Sequence, residues 1–359
     1  MAILPAAAVY VAYKIWETLP AKKWLKVALM AIYGLAAVAF ALSITGVIDH
    51  LPMPLARAAY IFGSSWAIAL VYFFIAFLIL DILRLMRILP AKFLKNNIIV
   101  LSVICALTAG LLIYGGINYR HKNRQEMTVE SAKITKPVKI VLMSDLHAGY
   151  HNSYNELRRW VDMVNTEKPD LILLAGDLVD RSLRAVTADH DASCLKHFAA
   201  PVYACLGNHE YYAGVDEAKD FYRKCGITLI QDSVVNVCGI SIIGRDDDTN
   251  EERRSLYQLT RKAPKGQFTL VLDHQPKDLL EAELEKVDFQ FSGHTHSGQI
   301  WPVNWLEHVT FENAYGPLKK GDTQYYVTSG MGLWGGRFRI GTRSEYLVLN
   351  LVPETTPEN

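Results

Sequence analysis

Three uncharged apolar runs in the first third of the chain limit what it can fold into. They cover residues 27–48, 58–80 and 98–119, and none contains a charged side chain. A helix needs roughly 20 apolar residues to cross the hydrocarbon core of a bilayer, so each run is long enough. A shorter run, 1–13, ends at Lys14 and can span only if that side chain snorkels. We therefore predict an integral membrane protein with three helices, and leave a fourth at the N-terminus open.

The charge of the chain changes sign after the apolar runs. Up to Met127 there are 12 Lys and Arg against 4 Asp and Glu, whereas from Thr128 onward there are 25 against 32. The catalytic candidates described below all lie in the acidic part. Nucleic-acid binding depends on Lys and Arg contacts to phosphates, so an acidic region without a basic stripe predicts no nucleic-acid partner.

Basic residues in short loops predict which side of the membrane each loop occupies, because cytoplasmic loops carry an excess of Lys and Arg. The predicted outer side holds Arg57 and a cluster after the last run, Arg120 to Arg124, and this cluster favours the opposite orientation. The balance places the region after residue 119 outside the cytoplasm of a bacterial-type cell membrane. The basic residues of the predicted inner side are Lys22, Lys23, Lys26, Arg84, Arg87, Lys92 and Lys95.

The acidic part alternates β-rich runs with helical patterns. Apolar strands covered by helices indicate a layered α/β domain. We predict a transmembrane region at 1–120, a polar linker at 121–136 and an α/β domain at 137–359. The predicted buried strands are 138–143, 170–175, 201–206, 267–272 and 288–292, the shorter ones are 227–230, 234–237, 240–244, 325–328 and 346–351, and the helices are 154–166, 216–225 and 276–285.

Each of the five buried strands is followed by residues that can bind a metal or move a proton. In open α/β sheets ligands bind outside the carboxyl ends of the strands, so these residues are expected on one rim. Five such endings in series are hard to obtain from packing alone. The candidates, in chain order, are Asp145, His147, Asp177, Asn208, His209, Glu210, His274, His294 and His296.

The donor types favour two metal ions. Seven of these residues offer nitrogen or oxygen and none a thiolate, which exceeds what one tetrahedral zinc uses. The mixture suits Mn²⁺, Fe or Zn²⁺, and we favour Mn²⁺. Asp177 is central in the order, and a carboxylate can bridge two ions. Two ions roughly 3.5–4 Å apart lower the pKa of a bridging water and clamp a phosphoryl group.

The series D-x-H, GD, GNH[DE], H and GHxH resembles the calcineurin-like metallophosphoesterase superfamily. The resemblance runs from about Val138 onward and implies a four-layer αββα sandwich, the metallo-dependent phosphatase fold. This domain follows the predicted α-helical transmembrane region in the chain. By the pattern of that family, one ion is bound by Asp145, His147 and His296 and the other by Asn208, His274 and His294, and Asp177 bridges the two ions. The same pattern makes His209 the general acid or a stabiliser of the leaving group, with Glu210 orienting it.

Two further segments, GHTHSGQIWP and SGMGLWGGRFRIGTRSEY, resemble one subgroup of that superfamily. The subgroup includes exported bacterial phosphodiesterases and membrane-associated UDP-2,3-diacylglucosamine pyrophosphatases. Ser297 stands where its usual form has glycine. Arg337 and Arg339 could hold substrate phosphate, although a salt-bridged loop is an equal alternative. The tryptophans Trp301, Trp305 and Trp334 could form an apolar lip for acyl chains or simply pack their loops.

The sequence thus predicts a membrane-anchored phosphoesterase that cleaves phosphodiester or pyrophosphate bonds with a metal-bridged hydroxide, on a lipid-linked or envelope substrate. A general phosphodiesterase or phosphomonoesterase, merely tethered to the membrane, is the alternative enzyme. A catalytically silent, metal-bound membrane scaffold is the alternative from another class. The oligomeric state stays open.

Overall fold

A computed structural model describes residues 3–354 of the chain. The first two residues of the predicted region 1–120 and the last five of 137–359 lie outside the described residues. The chain divides into two units. One contains the residues up to Ile117 together with Gly335–Phe338, and the other contains Asn118–Trp334 and the residues from Arg339 onward. The last turn of the third apolar run thus belongs to the second unit.

Twelve α-helices occur in the described part of the chain, and three of them are long and apolar enough to cross a membrane. These three overlap the predicted runs, so the transmembrane prediction is confirmed on length and composition. The fourth, shorter run forms α1. The helices are α1 Ile3–Thr18, α2 Lys23–Ile44, α3 Met53–Leu85, α4 Ile98–Arg120, α5 Tyr154–Thr166, α6 Leu183–Ala188, α7 Asp191–Leu195, α8 Asn208–Ala213, α9 Val215–Cys225, α10 Leu256–Thr260, α11 Leu279–Leu284 and α12 Val303–Thr310.

Small residues allow α2 and α3 to pack closely. Ala36 and Ala39 of α2 are buried, and a side chain at Gly63 of α3 would collide with the backbone of Phe40. In a bilayer, where the hydrophobic effect does not drive helices together, such close backbone contact is the main source of association. The two helices therefore pair by van der Waals contact.

The described residues of the second unit form twelve strands in two mixed, six-stranded sheets. The first sheet has the order β1-β12-β2-β3-β4-β5, and the second has the order β10-β11-β9-β8-β7-β6. The strands are β1 Lys122–Ser131, β2 Val138–Met143, β3 Leu171–Ala175, β4 Val202–Cys205, β5 Thr228–Leu229, β6 Ser233–Val237, β7 Ile240–Gly244, β8 Phe268–Leu272, β9 Phe289–Ser292, β10 Gly316–Lys320, β11 Thr323–Val327 and β12 Ser344–Pro353.

Apolar side chains between the two sheets form the central core of this unit. Leu142 and Leu173 of the first sheet share one buried cluster with Leu270 and Phe289 of the second. A second cluster joins the outer face of the first sheet to α5, α7 and α9, and a third joins the second sheet to α10 and α11. The order of layers is therefore helix, sheet, sheet, helix, which confirms the predicted αββα sandwich.

The polar stretch 121–136 is not a free linker, because it contributes β1. This strand pairs in parallel with β12 along ten residues. It lies at the edge of the first sheet, where one row of side chains stays in water and charged residues are tolerated. Its alternation of buried and exposed positions, with Val129 buried and Glu130 exposed, is typical of an edge strand.

The end of α4 is anchored in the core of the second unit by Tyr119, which is buried. Its hydroxyl donates to Oδ1 of Asn152 over 2.6 Å, and the amide of Asn152 donates to the carbonyl oxygens of Leu146 and His147. The Nζ of Lys122 lies 3.6 Å from the centre of the Tyr119 ring. The hydrogen bonds through Asn152 connect the last turn of a candidate span with the loop that carries His147.

Candidate metal centre

The predicted ligands follow β2, β3, β8 and β9 or open α8, and the packing of the two sheets brings these loops together. Such strand ends turn sharply, and several ligands have the left-handed backbone that residues with side chains seldom adopt. Strain of this kind concentrates at functional sites because the surrounding structure must hold it. The left-handed ligands are Asp145 (φ 58°), His147 (φ 45°), Asp177 (φ 53°), His294 (φ 71°) and His296 (φ 51°).

One donor set consists of Asp145, His147 and His296, all of which are buried. Nε2 of His147 lies 3.2 Å from Nε2 of His296. Oδ1 of Asp145 lies 3.8 Å from the first nitrogen and 3.6 Å from the second. Three donors of the types that bind Mn²⁺, Fe or Zn²⁺ thus point at one position.

A second donor set consists of Asn208, His274 and His294. Oδ1 of Asn208 lies 3.1 Å from Nε2 of His274 and 2.8 Å from Nδ1 of His294. Nδ1 of His274 is 2.7 Å from the carbonyl oxygen of Ala175, to which it can donate, leaving Nε2 free as a ligand.

Asp177 lies between the two sets. Its Oδ2 is 3.7 Å from Nε2 of His147 and 3.2 Å from Nε2 of His274. A single carboxylate oxygen therefore faces a member of each set. This is where a bridging ligand would have to be, so the geometry supports the predicted division of the ligands into two groups that share Asp177.

The protonation of three of the four histidine ligands suits metal binding, which requires neutral imidazole. Burial lowers the pKa of His147 to about 3 and that of His294 to about 4. Burial also holds the pKa of His296 well below its usual range. For the fourth, His274, burial opposes protonation, but Asp177 outweighs it and holds the pKa well above its usual range, so a bound ion would have to displace that proton. The carboxylates of Asp145 and Asp177 are buried as well. Burying an anion is costly unless a positive charge compensates it, and a divalent cation in each donor set would supply that charge. The residues therefore fit the metals that the sequence predicts.

Glycines let the ligand loops approach one another at distances that a side chain would prevent. A Cβ at Gly207 would collide with Oδ1 of Asp177 and lie 2.7 Å from its backbone nitrogen. A Cβ at Gly293 would collide with Ser144 and Asp145. The glycines in GNH and GHTH are thus required by close packing around the two aspartates.

His209 is held by Asp180 rather than by the predicted partner. Its Nδ1 lies 3.2 Å from Oδ1 of Asp180, and its backbone nitrogen donates to Oδ1 of Asp177 over 2.9 Å. Burial opposes protonation of the ring, but Asp177 and Asp180 outweigh it and raise the pKa of His209 to about 9. The ring therefore carries a proton that it could donate, although bound divalent ions would lower this pKa.

The carboxylate of Glu210 binds backbone groups, whereas the sequence predicted that it would orient the ring of His209. Its carboxylate accepts hydrogen bonds from the backbone nitrogens of Asp177, Val179 and Gly207, at 3.0, 3.2 and 2.7 Å. It thereby fixes the loop after β3 against the start of α8. Glu210 supports the bridging aspartate through the backbone, and the orientation of His209 comes from Asp180.

Arg339, predicted as a substrate contact, is fully buried. Its guanidinium donates to the carbonyl oxygens of His296 at 2.6 Å and Gly330 at 3.2 Å, and to Ser329. This arrangement favours a structural role that fixes the His296 loop over a contact with phosphate. Arg337, the other predicted contact, is half-buried in the segment Gly335–Phe338 and is not among the residues that line the cleft described next.

A cleft of about 250 Å³ opens above the ligands. Two of its residues, Arg181 and Tyr212, were not predicted from the sequence. The guanidinium of Arg181 lies 5.7 Å from the centre of the Tyr212 ring, and both side chains are exposed. The only sequence signal for Arg181 is that it continues the loop after GD. Residues that line the cleft are Asp177, Arg181, Asn208, His209, Tyr212, His294, His296 and Trp334.

The tryptophans predicted to form one lip occupy two places. Trp334 lines the cleft, where its ring centre lies 6.4 Å from that of His209. Trp301 and Trp305 contact each other edge to face at the start of α12, with ring centres 5.6 Å apart.

Comparison with known proteins gives the family. Residues 138–298 match the family model described as calcineurin-like phosphoesterase. An uncharacterised metallophosphoesterase of Campylobacter jejuni is 32% identical over 265 residues, covering 71% of this chain and 68% of the relative. The chain belongs to the calcineurin-like phosphoesterases. Metal-dependent phosphoester hydrolysis is the activity of this family, and the family's fold is the one observed here.

Two further relatives are similar to this phosphoesterase in sequence. An uncharacterised metallophosphoesterase of Helicobacter pylori is 31% identical, covering 64% of this chain and 64% of the relative. A protein of Danio rerio named for a transmembrane region with a metallophosphoesterase domain is 30% identical, covering 68% of this chain and 61% of the relative. The matches span about two thirds of these relatives, so activities of the whole proteins are not carried over.

We predict that Gly207→Ala weakens metal binding. The new methyl group would push against Asp177, and disturbing the support of a ligand costs roughly 10–100-fold in metal affinity. Bound metal per chain, titrated by mass spectrometry after dialysis against buffered Mn²⁺, measures the loss. Gly110→Ala in α4, where a Cβ would meet no atom within 4 Å, is the matched control. Unchanged affinity in Gly207→Ala would contradict the role given to Asp177.

Proposed function

We propose that this phosphoesterase is a membrane-anchored, dinuclear-metal hydrolase of phosphodiester or pyrophosphate bonds. The observation that carries the proposal is the convergence of two donor sets on a shared oxygen of Asp177, at 3.7 and 3.2 Å from their histidines. Two divalent ions in these sets, with Mn²⁺ favoured, would supply an activated water and neutralise charge on the phosphoryl group.

The chain's own residues would act on the substrate from the rim of the cleft. His209, held by Asp180 and protonated, would donate its proton to the leaving oxygen. Arg181 is the exposed cation of the cleft, and a guanidinium can pair with two phosphoryl oxygens. Asp180 would position His209 and preserve its positive charge. The ligands fix the place of attack, and His209 and Arg181 stand on the accessible side.

A lipid-linked or envelope phosphoester is the substrate class that we propose. Three candidate spans would anchor the chain in a bilayer. Tyr212 and Trp334 present aromatic surface at the cleft while 54% and 43% exposed, as an apolar part of a substrate would require. The acidic balance of the region from Thr128 onward disfavours a nucleic-acid substrate.

A general phosphodiesterase or phosphomonoesterase remains the second candidate, because the cleft is open and Arg181 would bind any phosphate. The scaffold alternative is disfavoured by one observation. His209 is buried and lies 3.2 Å from Asp180 beside the ligands, where metal binding alone would not require a proton donor. We also propose a bacterial-type cell membrane and an extracytoplasmic catalytic domain, from the distribution of Lys and Arg.

His209→Asn should abolish most turnover while both metals stay bound. Loss of a general acid costs about 10²–10⁴ in rate. Turnover and metal content of the full chain are measured side by side in detergent with Mn²⁺. The exposed His197→Asn is the control and should behave like the unmodified protein. A variant that hydrolyses as fast as the unmodified protein would remove His209 from the mechanism.

The substrate class is tested with the same full-length protein. A diacylated sugar-nucleotide pyrophosphate should turn over faster than a generic diester or monoester, with Asp177→Asn as the blank, because apolar contacts add to phosphate binding. Fast turnover of soluble nucleotides with the lipid pyrophosphate untouched would overturn the lipid assignment. Turnover equal to the blank for every ester, with two metals bound, would favour the scaffold.

Labelling of Cys238 determines the side of the membrane on which the catalytic domain lies, because this residue is exposed in the turn between β6 and β7. A membrane-impermeant maleimide added to intact cells should label the protein, because an extracytoplasmic thiol needs no passage through the bilayer. Cys238→Ser provides the background from the other cysteines. Labelling that requires permeabilised cells would put the catalytic domain in the cytoplasm.

A further inference from the structure

The helix α12 has its apolar side turned toward solvent. Trp305, Leu306 and Val309 are 61%, 64% and 85% exposed, whereas Asn304 and Glu307 are half-buried. Among the eight residues of α12, all of which the structure describes, none is buried. A surface helix of a water-soluble domain normally places its apolar stripe inward, so this orientation is inverted.

The exposed apolar residues form one continuous face. At about 100° per residue, positions 305, 306 and 309 fall within an arc of about 100°, and position 307 falls outside it. Burial raises the pKa of Glu307, in agreement with its inward position. The outward face therefore consists of tryptophan, leucine and valine without a charge.

The start of α12 and the end of α4 are attached to the same short segment. Asn118, in the last turn of α4, donates to the carbonyl oxygens of Arg339 and Thr342, both at 2.9 Å. The backbone nitrogen of Trp301 donates to the carbonyl oxygen of Ile340 over 2.6 Å. One strip of chain, residues 339–342, therefore connects the end of a candidate membrane span with Trp301, two residues before α12.

We propose that the exposed face of α12, formed by Trp305, Leu306 and Val309, binds the surface of the lipid bilayer into which α4 inserts. Eight residues are too short to span a bilayer, but an apolar helical face can lie in the plane of its interface. Tryptophan is enriched at that depth because its ring is apolar and its N–H remains hydrated. The start of α12 is linked by hydrogen bonds to a candidate membrane span through segment 339–342.

A face of only three side chains is sufficient for lipid binding because the candidate spans already anchor the chain. A free helix with three apolar side chains on its exposed face and no Lys or Arg would bind lipid weakly. Here α4 holds it at the membrane, and tethering turns the second contact into an intramolecular step with a high effective concentration. Phe311, the residue after α12, lies beside a proposed metal ligand, because its ring centre is 6.1 Å from that of His294.

Site-specific lipid quenching tests this surface without relying on turnover. In the full chain with Cys105→Ser and Cys238→Ser, Val309→Cys is labelled with an environment-sensitive nitrobenzoxadiazole dye. The protein is then reconstituted into phosphatidylcholine and phosphatidylglycerol vesicles, with or without doxyl-labelled phospholipid. Leu284→Cys in α11 is the matched control, because Leu284 is 69% exposed on a helix of the same domain.

We expect doxyl lipid to quench the dye at position 309 several times more than the dye at position 284. Equal quenching at the two positions, or none at 309, would overturn the proposal. A dye at 309 that aqueous iodide cannot reach and doxyl lipid does not quench would assign the face to a protein contact, and would overturn it as well. Because no activity is measured, the result is independent of whether the proposed function holds.

Discussion

The arrangement of the catalytic domain depends on two carboxylates that are kept away from water. Asp145 and Asp177 lie at adjacent strand ends, each almost fully buried. Burial of anions is tolerated only where cations or directed hydrogen bonds compensate it. The residues around the two aspartates supply this compensation or make room for it. Four histidines surround the pair, Glu210 fixes the backbone of Asp177, and glycines give the loops room to approach. The αββα sandwich supplies the rigid support, because two packed sheets hold the strand ends in register.

The strands and the ligand residues could be predicted from the sequence because they leave local signals. β2 and β7 were predicted with the bounds that the structure has, since each is a short apolar run between polar turns. β1 was missed because an edge strand carries alternating charged residues, which read as a linker. The membrane helices were predicted for the same reason as β2, since a long apolar run has few alternatives. Their ends were predicted less well, because α2 lies four residues earlier than its run and α3 extends five residues beyond its run at each end.

Interactions between distant parts of the chain could not be predicted. Nothing near Asp180 in the sequence indicates that it would contact His209, which belongs to another loop. Arg339 reads as a phosphate-binding residue because charged side chains are normally exposed. In the structure its guanidinium is satisfied by backbone carbonyl groups, which have no sequence signature. Residue type therefore predicted which groups gather at the site, whereas their partners required the packed fold.

The strand order has a consequence for the synthesis of the protein. β12 lies between β1 and β2, although it is translated after all the other strands. While the ribosome makes β3 to β11, β1 has no partner and β2 has one open edge. Pairing between such distant segments is slow, and open edges invite aggregation. The charges of β1 protect the waiting strand. The first sheet can be completed only once β12 has left the ribosome, so a half-built sheet must persist until then.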